Sequence, residues 1–468
     1  MNSFFFTIIL SVLVNLIIKP AWVFTENKIQ DYLGHEIIGI YAAVFSFSSM
    51  LMVLTDLGIN QWNIKEFSGK KLELQQQISK IWGSKIVLSL IFFVISFLLA
   101  WLLGYSLYHL QLLLWISLYQ ILISAIQLQR SHLQALQLFR LDTLLGNLDK
   151  AILLVLCLLL IHLQLLTFQN FIYCLLFSAI FPFVFGAILL HQHLIIPTIQ
   201  WDFAFLKNIS KQFLPFALMT ILFSTNEKIN QVLIEKISGE VESGLFAGAY
   251  RWNNAIAMYL WTILPIFFAK FANHSKEPEK LQKLFQLGWV IVAIPILFVA
   301  CWIQFYGEIL FIQFENSKLE ELQKMVLLLK ILIWTVALNA SFNIFSTWLT
   351  ASGFVKQTNQ MLLLALIANI LFSIALIPNY QSIGGAIALL LAFIVQSFGF
   401  FYQFLTHKNF MLEPKIFFYS FGVLLGGIFL LSMGYFFEWN WFFNTLLSTS
   451  CVALFLFFLK LIPWKANY

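Results

Sequence analysis

Long apolar runs separated by short polar breaks are the feature that most constrains how this chain can fold. A helix needs about 20 consecutive, mostly apolar residues to cross the hydrocarbon core of a bilayer. The chain has fourteen such runs, and the sequence therefore predicts an all-α polytopic membrane protein. The fourteen predicted spans are 4–24, 37–58, 85–105, 110–129, 146–166, 170–190, 213–234, 244–268, 284–306, 326–349, 357–378, 383–404, 416–436 and 441–460.

The low content of charged residues excludes other classes of protein. Only 10% of the 468 residues are charged, whereas a soluble domain carries about a quarter. The longest stretch between apolar runs, 60–84, has roughly 25 residues, and an independent domain needs about 50 or more. The net charge of +6 is spread over the breaks between spans, so it forms no basic patch for nucleic acid. A large soluble domain and a nucleic-acid partner are both excluded.

Basic residues are distributed unevenly between alternate loops. If the N-terminus is inside, 19 of the 27 Lys and Arg residues lie in inside loops, Lys65 and Lys85 among them, and five lie in outside loops. Cytoplasmic loops of membrane proteins carry an excess of Lys and Arg. We therefore expect both termini on the cytoplasmic side and an even number of spans.

Two inside loops, 60–84 and 130–150, mix apolar and charged residues at helical spacing. This pattern predicts amphipathic helices that lie at the cytoplasmic interface. A gate or a contact with lipid head groups is the alternative.

A short internal repeat joins the two halves of the sequence. The segments GHEIIGIYAAVF, from Gly34, and GEVESGLFAGAY, from Gly239, resemble each other at an offset of 205 residues without a gap. Gly39 aligns with Gly244 in this comparison. Both segments begin on the outside, six spans apart, and this predicts a parallel repeat about an axis along the membrane normal.

The repeat predicts a division of the chain into two bundles of six helices. We expect an N-terminal bundle at 1–200, a C-terminal bundle at 201–410 and two additional transmembrane helices at 411–468. Two such bundles with a cleft between them are typical of transporters.

Several motifs carry a resemblance to a known family. The stretch TDLGINQWNIKEF, from Thr55, resembles the DLG-x-N signature of the polysaccharide or O-antigen flippases, the Wzx type within the MATE-like MOP transporter superfamily. Further matches, in the expected order over about 400 residues, are NLIIKPAWVF, NEKINQVLI followed by SGLFAGAYR, ILPIFFAKFA, and ALIPNYQSIGGAIA.

This resemblance implies a substrate, partners and a location. Such a protein is a flippase that moves a polyprenyl-pyrophosphate-linked oligosaccharide, the repeat unit of a polysaccharide such as lipopolysaccharide O-antigen, from the cytoplasmic to the outer leaflet by alternating access. It has no cofactor. Its partners are the lipid-linked substrate, membrane lipids and other polysaccharide-assembly membrane proteins. It resides in the bacterial cytoplasmic (inner) membrane.

Three cations fall inside predicted spans, where ionisable groups are costly and usually functional, and a fourth, Lys228, lies at the outer margin of its span. They are Arg251, Lys19, Lys228 and Lys330, all in the outer half of the membrane. A pyrophosphate needs desolvated cationic partners, and a guanidinium can grip phosphate oxygens with two hydrogen bonds. We expect a substrate-binding cation cluster with Arg251 at its centre. The alternative for each lysine is a head group that extends to the lipid interface.

Polar residues within the spans provide the remaining candidates. Asp56 lies at the inner end of the second span, where it either pairs with a cation such as Lys65 or serves ion coupling or gating. Asparagines in the seventh and eighth spans either contact sugar or form interhelical hydrogen bonds. These asparagines are Asn226, Asn230, Asn253 and Asn254.

Two other functions compete with the flippase. A multidrug or organic-cation antiporter of the same superfamily would need buried acids, and the spans hold mainly cations. A membrane polysaccharide polymerase or glycosyltransferase would need a large outer loop, and the longest outer loop, 307–325, is small. No P-loop is present and the HQH at 191–193 has no second ligand pair. We therefore expect no catalytic residues and no metal site.

Overall fold

Helices joined by short turns make up the architecture in the computed structural model, which describes residues 20–194, 198–274, 277–408 and 414–458. Within those ranges there is no β-strand. The helices are α1 (20–33), α2 (His35–Leu51), α3 (Ile59–Phe67), α4 (Lys71–Leu102), α5 (Leu107–Ala135), α6 (Phe139–His162), α7 (Phe168–His191), α8 (Phe203–Ser238), α9 (Glu240–Asn273), α10 (Pro278–Gly288), α11 (Ile294–Tyr306), α12 (Leu319–Ala351), α13 (Val355–His407), α14 (Pro414–Phe436) and α15 (Trp441–Phe458).

The predicted all-α polytopic class is confirmed. Ten helical segments within the described ranges are long and apolar enough to cross a membrane. One of them, α13, has 53 residues and would be about 80 Å long if straight, more than twice the roughly 30 Å of a hydrocarbon core. Its single non-helical residue, Gln381 at φ 54°, divides the predicted spans 357–378 and 383–404. Residues 4–19 of the first predicted span, 4–24, lie outside the described ranges.

The prediction of a separate interfacial helix over 60–84 is wrong for most of that segment. Residues from Lys71 onward belong to α4, one continuous helix of 32 residues. The sequence KLELQQQISKIW consists mostly of good helix formers, so nothing stops the span at its predicted start. Gly83 lies within α4 and admits a close neighbour, because a Cβ there would approach the carbonyl oxygen of Gln200 to 2.0 Å.

The chain divides into two compact units, Met1–Gly244 and Leu245–Tyr468. In the first unit α5 is the central helix, which packs against α2, α3, α6 and α7. One apolar core surrounds Phe47, Leu112 and Phe171, and a second surrounds Leu74 and Leu128. The proposed limits of two six-helix bundles, 1–200 and 201–410, stay a prediction.

In the second unit α12 packs along α13, and α14 packs against α11 and α15. Indole and amide groups attach the last two helices to the unit. Trp289 Nε1 donates to Ser420 Oγ at 3.2 Å, and Asn444 Nδ2 donates to the Tyr306 hydroxyl at 2.7 Å. An apolar core around Phe298 completes this contact.

The internal repeat has a counterpart in the local backbone. Gly34 separates α1 from α2 at φ 90° and ψ 157°, and Gly239 separates α8 from α9 at φ 91° and ψ 176°. Only glycine adopts this region readily. The two aligned glycines therefore interrupt the two helix pairs in the same way.

The second pair of aligned glycines permits a close approach of backbones within the first unit. A Cβ at Gly39 would lie 1.8 Å from the carbonyl oxygen of Glu240, and a Cβ at Gly244 would lie 2.0 Å from that of His35. Each glycine thus meets the residue four positions before the other. Ser243 Oγ strengthens the contact by donating to the carbonyl oxygen of Gly39 at 2.9 Å.

Candidate functional site

The DLG motif forms a break between α2 and α3. A 3₁₀ turn, Met52–Thr55, ends α2, and Leu57 and Gly58 then take positive φ values of 41° and 91°. The Asp56 carboxylate accepts a hydrogen bond from the backbone N–H of Asn60 at 3.1 Å, which satisfies a free amide at the start of α3. The motif therefore fixes Asp56 at the junction of two helices.

A buried lysine from α4 is the partner of Asp56. Lys85 Nζ lies 3.8 Å from Asp56 Oδ1, with the side chains 2% and 25% exposed. Lys85 also donates to Ser124 Oγ on α5 at 2.6 Å, and Ser124 forms a short hydrogen bond with Thr55. Three segments thus contribute to one polar cluster inside an apolar unit.

Asp56 pairs with a cation, as expected, but this cation is Lys85 and the named example, Lys65, is wrong. Lys65 lies on α3 beyond the helix break, where it is exposed. Lys85, which the sequence placed among the loop cations, is instead buried because α4 extends beyond its predicted start. The position of Lys85 at the margin of the predicted span 85–105 was the sequence feature that could have indicated its burial.

A second buried polar group lies farther along α3 and α5. Asn63 Nδ2 donates to Ser131 Oγ at 2.8 Å and lies 3.0 Å from His132 Nδ1. All three side chains are buried, and His132 Nε2 has no hydrogen-bond partner in the described part of the chain. Sequence reasoning did not single out this histidine, which lies in the predicted loop 130–150.

Lys228 lies in α8 of the first unit and is half-buried. The residue before it, Glu227, is also half-buried and has an interaction within the protein. Lys228 forms no ion pair or hydrogen bond with the residues that the structure describes. Glu227 is adjacent to Lys228 in the sequence, but this acid was not among the predicted site residues.

The predicted asparagines differ in their surroundings. Asn226 and Asn230 are fully buried in α8 and have interaction partners. Asn253 is buried, and its Nδ2 lies 3.4 Å from Thr335 Oγ1 on α12. Asn254 is exposed. Three of the four therefore take part in helix packing in this conformation.

Arg251 and Lys330 lie in the second unit, and Lys19 lies outside the described residues. Arg251 is half-buried in α9 and already has an interaction within the protein. Lys330 is half-buried in α12 and its ammonium group contacts no acidic or hydrogen-bonding group in the described ranges. The two residues thus differ in whether the side chain has an interaction partner among the described residues.

Lys330 lines a cavity of about 460 Å³. The cavity lies between α12 and the segment that precedes it, and Glu308 supplies a second charge. Its other lining residues are Phe311, Ile312, Phe314, Leu319, Leu322, Gln323, Val326 and Leu327.

A family model described as "Polysaccharide biosynthesis protein" matches residues 6–268. The chain belongs to this family. No curated protein matches the chain in sequence.

Solved structures show the fold of this polysaccharide biosynthesis family member. The chain is similar to a lipid II flippase, MurJ, with a TM-score of 0.76 and 14% identity over 97% of this chain and 99% of that chain. It is similar to an inward-facing multidrug resistance MATE transporter of the MOP superfamily, with a TM-score of 0.67 and 15% identity over 84% and 98% of the two chains. A MOP superfamily transporter from Pyrococcus furiosus matches with a TM-score of 0.58 and 15% identity over 85% and 94%. The chain is therefore a multi-pass membrane protein with the MOP superfamily fold.

Proposed function

We propose that this protein is a flippase that moves a polyprenyl-pyrophosphate-linked oligosaccharide from the cytoplasmic to the outer leaflet by alternating access. Family membership carries the proposal, because the family to which the chain belongs is described as a family of polysaccharide biosynthesis proteins. A lipid II flippase has the same fold over nearly the whole chain. Lipopolysaccharide O-antigen is one product that such a protein would serve.

The chemistry of the proposed substrate suits buried cations. A pyrophosphate carries two or more negative charges and needs charge-assisted hydrogen bonds when it leaves water. We propose Arg251 as the centre of this site, with Lys19 and Lys228 as further members. Lys330, the fourth cation of the predicted cluster, instead lines a cavity together with Glu308. Lys228 supports the proposal, since its ammonium group has no ion-pair partner in the described part of the first unit.

The sugar part of the substrate would need polar contacts. Asn253 offers a buried Oδ1 without a hydrogen-bond partner in the described ranges, and Asn254 is exposed. Asn226 and Asn230 would contact sugar only after their present interactions change. We keep all four as proposed sugar-contacting residues.

Asp56 is proposed as a gating or ion-coupling residue. Its carboxylate bridges the start of α3 and the buried Lys85, so a change in its charge would act on the break between α2 and α3. A coupling cation would have to compete with the Lys85 ammonium group.

The loop charges support an orientation with both termini on the cytoplasmic side of a bacterial inner membrane. Other membrane proteins of polysaccharide assembly are proposed partners. The protein itself is proposed to catalyse no covalent reaction.

A multidrug or organic-cation antiporter is the second candidate. The half-buried Glu227 in α8 favours it, because an acid within a span can bind an organic cation. Drug susceptibility of cells that produce the protein separates the two functions. A flippase leaves susceptibility unchanged, whereas an antiporter lowers it.

Substitution of Arg251 tests the flippase proposal in cells that lack the native protein. Arg251→Ala should abolish glycan export at normal membrane abundance, because a pyrophosphate would lose its strongest partner. Arg251→Lys should keep partial activity, since the charge remains but the two-pronged hydrogen bonding is lost. Lys356→Ala, at an exposed position on α13, is the matched control and should export normally. Full export by Arg251→Ala would place the anion site elsewhere.

A further inference from the structure

The cavity beside Lys330 contains two opposite charges that are not paired with each other. Lys330 and Glu308 both line it, yet neither has an ion-pair or hydrogen-bond partner for its side chain among the described residues. Lys330 is half-buried, so its unpaired charge is costly, whereas Glu308 is exposed and its carboxylate is open to a ligand. A ligand that carries both signs would compensate both groups at once.

The charge balance of this cavity argues against a pyrophosphate. One lysine and one glutamate line the space, so their formal charges cancel. A pyrophosphate would meet the Glu308 carboxylate as well as the Lys330 ammonium group, and the like charges would repel. A zwitterion with one phosphate and one ammonium group fits the two side chains.

The depth of Lys330 identifies the kind of molecule that can reach it. The 33 residues of α12 extend about 50 Å, so a centred helix projects about 10 Å beyond the hydrocarbon core at each end. Lys330 then lies only about 6 Å inside the hydrocarbon boundary, within reach of an extended lysine stem. In a bilayer centred on α12 the ammonium group would therefore reach the level of the lipid phosphates.

The remaining walls suit an acyl chain. Leu322, Val326 and Leu327 continue along α12 from Lys330, and Phe311 and Ile312 face them. The volume of about 460 Å³ falls in the range of ~300–1,000 Å³ typical of small-molecule sites. Apolar walls next to two opposite charges match a phospholipid with a zwitterionic head group.

We propose that this cavity binds a phospholipid with a phosphoethanolamine head group. The phosphate accepts from the Lys330 ammonium group, the lipid ammonium group donates to the Glu308 carboxylate, and an acyl chain lies along the apolar wall. The proposal gives Lys330 a ligand other than the pyrophosphate. It stands independently of the flippase proposal, which Arg251 tests.

Native mass spectrometry of the purified full-length protein tests the lipid directly. Delipidated protein is titrated with phosphatidylethanolamine, phosphatidylglycerol and phosphatidylcholine of identical acyl chains. We expect phosphatidylethanolamine to bind about three- to tenfold more tightly than the other two. Phosphatidylglycerol lacks the ammonium group, and the quaternary nitrogen of phosphatidylcholine has no N–H to donate. Equal binding of the three lipids by the unaltered protein would overturn the proposal.

Charge-removing variants assign the selectivity to the cavity. Glu308→Gln should bring phosphatidylethanolamine binding down to the level of phosphatidylglycerol, and Lys330→Gln should weaken all three lipids. Glu320→Gln and Lys356→Gln remove the same charges at exposed positions outside the cavity and should bind as the unaltered protein does. Retention of the full phosphatidylethanolamine preference by Glu308→Gln would refute the assignment, even if Lys330→Gln failed to fold.

Discussion

The unequal burial of Lys85 and Asp56 predicts unequal effects when either charge is removed. Lys85 is 2% exposed, whereas Asp56 is 25% exposed. Asp56→Asn keeps the shape and the hydrogen bond from Asn60, but it leaves the buried ammonium group with Ser124 as its remaining partner. Lys85→Met fills a similar volume and leaves a carboxylate that water can reach.

The magnitudes follow from these exposures. Loss of one partner from a fully buried ion pair costs about 3–5 kcal/mol. The separation of 3.8 Å and the exposure of Asp56 reduce the cost of Asp56→Asn to about 2–3 kcal/mol. Lys85→Met should cost only about 1 kcal/mol, because the carboxylate stays partly hydrated and keeps its amide donor. The double variant should be more stable than the sum of the single effects predicts, by about 1–2 kcal/mol.

Unfolding of the purified protein in mixed micelles measures these differences. The free energy of unfolding is determined for the unaltered protein, both single variants and the double variant, and the coupling energy follows from the cycle. If Lys85→Met destabilised the protein more than Asp56→Asn, or if the two effects were additive, the buried cluster would not be held together by this pair.

Three further substitutions test the helix junctions of the first unit. Gly58→Ala should cost about 2–4 kcal/mol of unfolding free energy, because φ is +91° and the new Cβ would lie 2.4 Å from Phe213 Cβ. The control Gly104→Ala, at φ +69° with open space around it, should cost only about 1–2 kcal/mol. Equal effects of the two substitutions would contradict the steric argument. Asp202 accepts from a backbone amide at the start of α8 and pairs with Lys80 at 3.0 Å, and these contacts hold its pKa below the ordinary value. The contribution of the Asp202 charge to stability is therefore present above about pH 4 and is lost as the pH falls through the lowered pKa. The difference in melting temperature between the unaltered protein and Asp202→Asn should accordingly shrink from pH 6 to pH 3. A difference that stays constant would show that the charge of Asp202 does not contribute to stability.

The helices could be predicted from the sequence because a span of apolar residues admits no other backbone that satisfies its own hydrogen bonds. The breaks at Gly34 and Gly239 fall between predicted spans, and glycine readily adopts the positive φ that each break has. The start of α4 was not predictable, because residues 71–84 are polar by composition but good helix formers, and the helix simply continues through them.

The partners of polar side chains could not be predicted in the same way. Asp56 was identified as a group that needs a cation, but sequence distance favoured Lys65, nine residues away. Lys85 reaches Asp56 only because α4 returns beside the break in α2, which is a property of the tertiary packing. The charge of Glu308 near Lys330 is likewise visible only once the cavity is formed.

Movement of the lipid-linked sugar itself tests the central claim most directly. The purified protein is reconstituted into liposomes that carry a fluorescent polyprenyl-pyrophosphate-linked oligosaccharide in both leaflets, and a membrane-impermeant reductant quenches the outer leaflet. With the protein we expect quenching to proceed beyond one half, because lipid from the inner leaflet reaches the outside, and we expect Arg251→Ala to stop at one half. Quenching that stops at one half with the unaltered protein, while an ordinary organic cation is transported, would contradict the flippase and favour the antiporter.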